Sequence, residues 1–269
     1  MKIYQVDTFT NEPFKGNPAA VCLLSQAADD IWMQNIALEM NLSETAFVLR
    51  EGDGFRLRWM TPEVEVDLCG HATLAAAHIL FSECMFKYDE VIRFFTRSGE
   101  LRAWNREGLI WLDLPATIPQ PFNPPEDLLS LLACDIVDAA QNSSDWLIQI
   151  SDPKVLRSIK PNFATLSEHP PRGIILTSHS DIEGYDFISR FFAPSIGINE
   201  DAVTGSAHVL LAPYWRSKLH VERFFAWQAS KRGGELRLLL HENRVQIGGH
   251  ALTVFNVDLK PPALEHPLP

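Results

Sequence analysis

Alternation of apolar and charged positions is the clearest pattern along the chain. Phe55, Leu57 and Trp59 alternate with Arg56 and Arg58, which is the spacing of a strand with one buried face. Since short turns connect most of the apolar runs, the sheet should be mostly antiparallel. The pattern predicts further strands at 3–9, 19–24, 45–49, 92–95, 101–104, 109–114, 146–150, 173–177, 224–229, 234–240, 244–247 and 251–257.

Two longer apolar runs, 74–81 and 209–215, predict buried helices that begin near Gly70 and Gly205. An amphipathic helix with an acidic first turn should begin at about Asp30 and end near Asn41, and another should cover 126–132. No alternating strand–helix series indicates a parallel nucleotide-binding sheet. The pattern therefore predicts an α+β fold in which mostly antiparallel sheet wraps two apolar helices.

The chain contains the same arrangement twice. An aromatic-rich strand ends at Pro62, an acidic stretch follows, and a Gly-led apolar helix begins at Gly70; the same order runs from Pro194 through Asp201 to Gly205. Such an echo between distant segments predicts a duplicated fold. The unpaired N–H groups and positive dipole ends of both helices would then face one cleft and form an anion site.

A proline-rich stretch near the middle of the chain is the best candidate for a boundary between the two halves. We predict an N-terminal lobe over 1–116 and a C-terminal lobe over 117–269, with the last strand or tail able to pack back on the first lobe. The prolines are Pro115, Pro119, Pro121, Pro124 and Pro125.

Composition excludes several classes of protein. The 269 residues, 46% of them apolar, suffice for one large or two medium domains. The 23 basic and 34 acidic residues give a net charge of −11, which disfavours nucleic acid as a partner. Without a long apolar span or a signal-peptide pattern, we expect no membrane association and a cytoplasmic location. Four cysteines without CxxC spacing should be reduced thiols.

Four polar residues could carry chemistry, three of them near the predicted helix starts, although each has a plainer structural explanation. Glu44 lies between a helix and an apolar strand, where desolvation would raise its pKa and suit it to proton transfer. His71 could polarise a carbonyl beside the first helix start, or simply be packed there. Asp201 and Ser206 lie in the corresponding region of the second half, near the start of the second apolar helix, where capping of that helix would also explain them.

Six short stretches, taken in order, carry a family resemblance: 7–9, 14–21, 41–47, 69–73, 200–201 and 203–207. Together they resemble the PhzF-like (phenazine biosynthesis-like) family of the diaminopimelate epimerase-like superfamily, and most closely its phenazine-biosynthesis-like domain protein subgroup. The resemblance implies two pseudo-symmetric lobes, each a β-barrel-like sheet around a central helix, and a homodimer.

By this resemblance, Glu44 matches a general acid/base that moves a proton within one substrate without metal, flavin or nucleotide. His71, Asp201 and Ser206 match residues that hold and polarise the substrate. Gly70 and Gly205 match glycines at the helix starts. Ala202 departs from the family, because many relatives have Pro there; the loop should be freer, with no donor lost.

Other site types fit less well. The superfamily's racemases use two cysteines, but only Cys69 lies at a helix start here; it is either packed or, less readily, a reactive thiol. His71 and His78 lack ligand partners at familiar spacing, which argues against zinc. Phosphate-loop motifs and a GxSxG elbow are absent, so we expect neither a nucleotide cofactor nor a serine hydrolase.

The sequence therefore predicts a cofactor-independent isomerase that acts on a small carboxylate-bearing metabolite. Glu44 would move the proton, with the substrate carboxylate on one or both helix N-termini. The rival from another class is a dimeric binding or scaffold protein that keeps the fold without turnover.

Overall fold

The computed structural model describes residues 1–83, 85–87, 90–132, 134–169 and 171–259. The first half contains two helices, α1 (Asp30–Met40) and α2 (Gly70–Ser82), as the apolar patterns predict. Its strands are β1 (Lys2–Thr8), β2 (Asn17–Leu24), β3 (Thr45–Glu51), β4 (Gly54–Met60), β5 (Glu65–Val66), β6 (Val91–Thr96), β7 (Gly99–Arg106) and β8 (Leu109–Pro115).

Among the described residues, the second half adds four α-helices: α3 (Glu126–Leu132), α4 (Pro153–Ser158), α5 (Phe163–Leu166) and α6 (Gly205–Leu219). The short helices α4 and α5 lack a long apolar period and were not predicted. The short strand β9 (Gln120–Pro121) ends the first repeat. The strands of the second repeat are β10 (Ile136–Gln141), β11 (Asp145–Ile150), β12 (Gly173–His179), β13 (Phe187–Ala193), β14 (Ile198–Asp201), β15 (Arg223–Gln228), β16 (Gly234–His241), β17 (Arg244–Gly249) and β18 (Ala251–Asp258).

The two halves repeat one pairing scheme. In the first, β1–β2, β3–β4, β4–β5, β6–β7 and β7–β8 are antiparallel, while β2–β3 and β4–β6 are parallel. In the second, β10 to β17 pair in the same order and with the same directions, so that β12 corresponds to β3 and β13 to β4. The predicted duplication and the mostly antiparallel sheet are therefore confirmed, with two pseudo-symmetric lobes.

The lobes exchange strands where the two halves meet. β8 pairs antiparallel with β17, the corresponding strand of the other half. The strand that follows β8, β9, pairs with β10 of the second lobe, and the strand that follows β17, β18, pairs with β1 of the first lobe. Each lobe therefore contains one strand that the other half of the chain supplies.

The helices α2 and α6 lie at the centre of the largest hydrophobic core, which takes side chains from both lobes. In α2, 11 of the 13 residues are buried, which is why its sequence is apolar around the whole helix rather than along one stripe. Two smaller clusters pack the outer helices: α1 lies against β2 and β3, and α3 to α5 lie against β11 to β13. This arrangement places the starts of α2 and α6 between the lobes.

Three of the four cysteines, Cys22, Cys69 and Cys134, are free thiols, as the sequence predicts. Cys84 lies outside the described residues. Within the described ranges, none of the helices combines the length and the apolar character that a membrane span requires.

A glycine at the entry to β2 fixes how the first lobe contacts the second. The N–H of Gly16 donates to Gly233 O at 2.8 Å, and Gly16 O accepts from Arg232 Nε at 2.7 Å. Its φ of +60° is strained for residues with a side chain, and a Cβ would lie 2.0 Å from Thr8 O. Neither conflict can be relieved without moving backbone.

Gly52 provides a matched control, because its φ is +57° but a Cβ there would meet nothing within 4 Å. We expect Gly16→Ala to lower the free energy of unfolding by at least about 3 kcal/mol, against about 1 kcal/mol for Gly52→Ala. Urea denaturation of both variants measures the difference. Equal losses would show that crowding at Gly16 contributes nothing.

Candidate active site

The N-termini of α2 and α6 meet between the two lobes. A Cβ on Gly70 would lie 3.4 Å from Gly205 Cα, and one on Gly205 would lie 3.5 Å from Gly70 Cα, so the two backbones are nearly in contact. Neither N-cap residue, Cys69 or Thr204, makes a side-chain capping hydrogen bond. The positive ends of two helix dipoles are thus concentrated in one region, which favours anionic groups there.

Three predicted site residues of the first lobe form one buried cluster. Glu44 directly precedes β3, while Cys69 and His71 flank the first residue of α2. Glu44 Oε2 lies 3.2 Å from His71 Nε2, and Cys69 Sγ lies 3.5 Å from His71 Nδ1. Ser43 Oγ is also 3.3 Å from His71 Nε2. The imidazole is therefore held at both ring nitrogens, and one of them faces the carboxylate.

The contact between Glu44 and His71 is close but poorly aligned. Although 3.2 Å is within ion-pair distance, Glu44 Oε2 is fully buried and accepts no well-directed hydrogen bond from the part of the chain that the structure describes. An unsatisfied buried acceptor is costly unless a ligand or water supplies the missing donor. In this conformation Oε2 therefore lacks a donor among the described residues, and a ligand or water that reached it would supply one.

Burial raises the pKa of Glu44, but the positive charge of His71, with smaller contributions from the side chains of Ser43 and Cys69, brings it below its ordinary value. Burial lowers the pKa of His71, but Cys69 and Glu44 raise it well above its usual range. The pair is therefore a carboxylate beside an imidazolium. The desolvation of Glu44 is confirmed, whereas the predicted upward pKa shift is wrong, because the sequence does not show that His71 is its partner.

Cys69 is buried beside these charges and remains a neutral thiol near pH 7. Burial and the neighbouring Glu44 carboxylate raise its pKa to about 11, against the opposite effect of His71. The helix N-terminus therefore does not produce a reactive thiolate here. At the equivalent position in the second lobe, Thr204 precedes Gly205, so the two helix starts carry one thiol between them.

Asp201 ends β14 and is half-buried at the second helix start. It accepts hydrogen bonds from Asn17 Nδ2 at 2.7 Å and Thr204 Oγ1 at 2.6 Å. Burial raises its pKa; His71 opposes this shift and Glu44 adds to it. The carboxyl of Asp201 thus interacts electrostatically with the cluster of the first lobe, across the boundary between the lobes.

Ser206, the second residue of α6, is half-buried, and its Oγ lies 3.4 Å from Arg172 Nη2. Glu44, His71, Asp201 and Ser206 are thereby all placed around the two helix starts, near Gly70 and Gly205.

Sequence reasoning did not assign a site role to Asn17. Its amide donates to Asp201 Oδ1 and, at 2.9 Å, to Val203 O, so it ties the first lobe to the loop before α6. The available signal was a buried polar residue, between Gly16 and Pro18, at the start of an apolar strand; such a residue needs a partner.

The same cluster could also hold a metal ion. The donor atoms of Glu44, Cys69 and His71 lie within 4.8 Å of one another, and carboxylate, thiolate and imidazole all coordinate zinc. The sequence argument against zinc rested on the lack of ligand partners at familiar spacing along the chain, whereas the fold brings Glu44 and Cys69 next to His71 in space. The neutral thiol and the imidazolium would both have to release a proton before they could coordinate.

Comparison with known proteins identifies the family. A profile described as "Phenazine biosynthesis-like protein" matches residues 6–257. The chain belongs to the PhzF family. It is 51% identical, over 96% of its own length and 97% of the relative's, to a protein of Halalkalibacterium halodurans named an uncharacterized isomerase. It is 41% identical to the human phenazine biosynthesis-like domain-containing protein, over 94% and 97% of the two chains. The chain is thus an isomerase-type enzyme of the PhzF family.

Solved structures agree with the fold. A PhzF-family protein of Enterococcus faecalis superposes with a TM-score of 0.90 at 41% identity, covering 95% of this chain and 97% of the other. A probable proline racemase of Agrobacterium radiobacter shares the fold alone, with a TM-score of 0.65 at 11% identity over 96% and 92% of the chains. The predicted diaminopimelate epimerase-like architecture is confirmed.

The Glu44–His71 pair should give this PhzF-family protein a characteristic pH dependence of stability. Because the pKa of His71 is raised, His71 stabilises the folded state fully below its ordinary pKa, and this effect is lost as pH rises through the raised value. Because the pKa of Glu44 is lowered, Glu44 stabilises the folded state above its ordinary pKa, and this effect is lost as pH falls through the lowered value. His71→Asn should therefore cost most between about pH 4.5 and 6.5, on the order of 3 kcal/mol.

Urea denaturation of the unsubstituted protein and the variant from acid to alkaline pH measures this difference. It should shrink on both sides of the window. A difference independent of pH would contradict the charge assignment of the pair.

Proposed function

We propose that the protein is a cofactor-independent isomerase that moves a proton within a small carboxylate-bearing metabolite, with Glu44 as the general acid/base. The observation that carries this proposal is the buried Glu44 oxygen at the helix starts, which has no well-directed hydrogen bond of its own within the described residues. A carboxylate oxygen in that setting can accept a proton from a bound C–H group without first losing a hydrogen bond to the protein.

In the proposed reaction, Glu44 takes a proton from one carbon of an unsaturated substrate and returns it to another. The electron pair of the broken C–H bond moves into the conjugated system, and a double bond shifts as the proton returns. Reactant and product thus have the same atoms and the same number of electrons. The lowered pKa of Glu44 keeps it ionised near neutral pH, which is the form that must begin the cycle.

Negative charge that develops on the substrate needs stabilisation while the proton is on Glu44. His71 carries a positive charge beside Glu44, and the N–H groups at the starts of α2 and α6 are donors already held in place. Preorganised donors of this kind are an effective way to lower a barrier that involves charge development. Asp201 and Ser206 would orient the polar groups of the substrate.

The cysteine-dependent epimerase is a weaker alternative, because Cys69 has a raised pKa and Thr204 stands at its counterpart. A scaffold protein without turnover has the same residues available for binding, and an exchange experiment separates it from the enzyme.

The first test is deuterium incorporation in D₂O across a panel of cyclic and unsaturated amino and hydroxy acids, followed by NMR or mass spectrometry. We expect the unsubstituted protein to exchange at least one ligand and Glu44→Gln to slow that exchange by about 10²- to 10⁴-fold, the usual contribution of general acid/base catalysis. Glu51→Gln is the matched control, because Glu51 pairs with Arg56 on the surface and should exchange normally.

A chelator should leave the rate unchanged if Glu44, Cys69 and His71 work without metal. Exchange that survives Glu44→Gln would exclude Glu44 as the base, and exchange that a chelator abolishes would replace the cofactor-free scheme. Binding without any exchange would favour the scaffold.

A further inference from the structure

The internal symmetry assigns a counterpart to each residue of the first-lobe cluster. Met60 and Phe192 occupy the same place in the duplicated strands, two residues before Pro62 and Pro194. Their antiparallel partners are Thr45 and Ile174. Counting back along the two strands, Glu44 corresponds to Gly173 and Ser43 corresponds to Arg172.

Arg172 contacts its helix start in the same way as its counterpart does. Ser43 Oγ lies 3.3 Å from His71, the second residue of α2, and Arg172 Nη2 lies 3.4 Å from Ser206, the second residue of α6. The duplication therefore directs a cation toward the α6 start at the point where the first lobe directs Ser43 and Glu44 toward the α2 start. Arg172 had no role in the sequence reasoning.

The surroundings of Arg172 fix its orientation. The buried carboxylate of Asp145 accepts from Arg172 Nε at 3.0 Å and from Nη2 at 2.6 Å, and the guanidinium lies 5.5 Å from the centre of the Phe191 ring. Gly173 makes room for this ring, because a Cβ there would be 2.2 Å from Phe191 Cζ. A guanidinium held on one edge and one face loses little freedom when it binds a ligand.

One part of the guanidinium remains free to bind. Arg172 is partly exposed, and its Nη1 donates to none of the described residues. Nη1 therefore has two N–H groups to offer to an anion beside Ser206.

We infer that Arg172 is a specificity-determining residue that binds the substrate carboxylate together with Ser206 and the start of α6. This inference rests on the proposed function and adds the orientation of the bound substrate. The carboxylate of the substrate lies in the second lobe, and the carbon that exchanges its proton lies toward Glu44 and His71. The substrate class is thus a monocarboxylate whose reacting carbons are away from the carboxylate end.

Benzoate and its neutral analogue benzamide test this assignment directly, because neither has a proton that the proposed reaction would move. Their binding can be followed through the backbone amide NMR signals of Gly205 and Ser206. We expect saturable benzoate binding, no comparable binding of benzamide, and a loss of about tenfold or more in benzoate affinity for Arg172→Gln, as for one charge-assisted hydrogen bond. Arg172→Lys should fall between the two.

Arg157→Gln is the matched control, since Arg157 makes a similar two-bond pair with Asp181 on the outside of the same lobe and should not alter benzoate binding. Arg172→Gln leaves the buried Asp145 without its cation, so the double variant Arg172→Gln/Asp145→Asn restores the charge balance if the single variant folds poorly. The double variant should show the same loss of benzoate affinity.

Unchanged benzoate affinity in both Arg172→Gln variants would overturn the inference, as would equal binding of benzamide or no saturable binding up to about 100 mM benzoate. If benzoate binding depends on Arg172 but no ligand exchanges deuterium, the carboxylate-binding role of Arg172 is supported and the proposed reaction is rejected. If deuterium exchange depends on Glu44 but benzoate binding does not depend on Arg172, the proposed reaction is supported and the role of Arg172 is rejected.

Discussion

Two helix N-termini in near contact are the constraint on which the centre of this protein depends. Gly70 and Gly205 bring the positive ends of α2 and α6 together in a buried region, where their mutual repulsion is poorly screened. Carboxylates are what such a region favours, and Glu44 and Asp201 lie near it. The arrangement that concentrates acidic groups for chemistry is therefore also the arrangement that stabilises the meeting of the helices.

The two repeats carry different residues near the starts of α2 and α6. In the first lobe, Glu44 and His71 form a charged pair, whereas the corresponding places in the second lobe hold Gly173 and Ser206. The ring of Phe191 fills the space that a side chain at Gly173 would need. In the proposed reaction, Glu44 of the first lobe supplies the proton-transfer group, and Arg172 and Ser206 of the second lobe supply binding groups.

Much of the fold was predictable because it follows from local patterns. The alternation through Phe55 to Trp59, the apolar helix runs and the repeated Pro–acid–Gly order are visible in the chain and correspond to β4, α2 and α6. The short helices α4 and α5 and the exchange of β9 and β18 depend on tertiary pairing, which has no local signature. In the site, the pKa of Glu44 was mispredicted, because its direction depends on His71, 27 positions away in the chain.

The exchange of strands makes each lobe incomplete without the other half of the polypeptide. Since β18 completes the first lobe and β9 completes the second, a single cut in the connection between β9 and α3 would leave two fragments that remain joined through β8 and β17 and through β1 and β18. The lobes should consequently melt together as one cooperative unit. Any motion of one lobe relative to the other must deform shared sheet, because the pairs β1–β18, β8–β17 and β9–β10 connect the lobes through backbone hydrogen bonds.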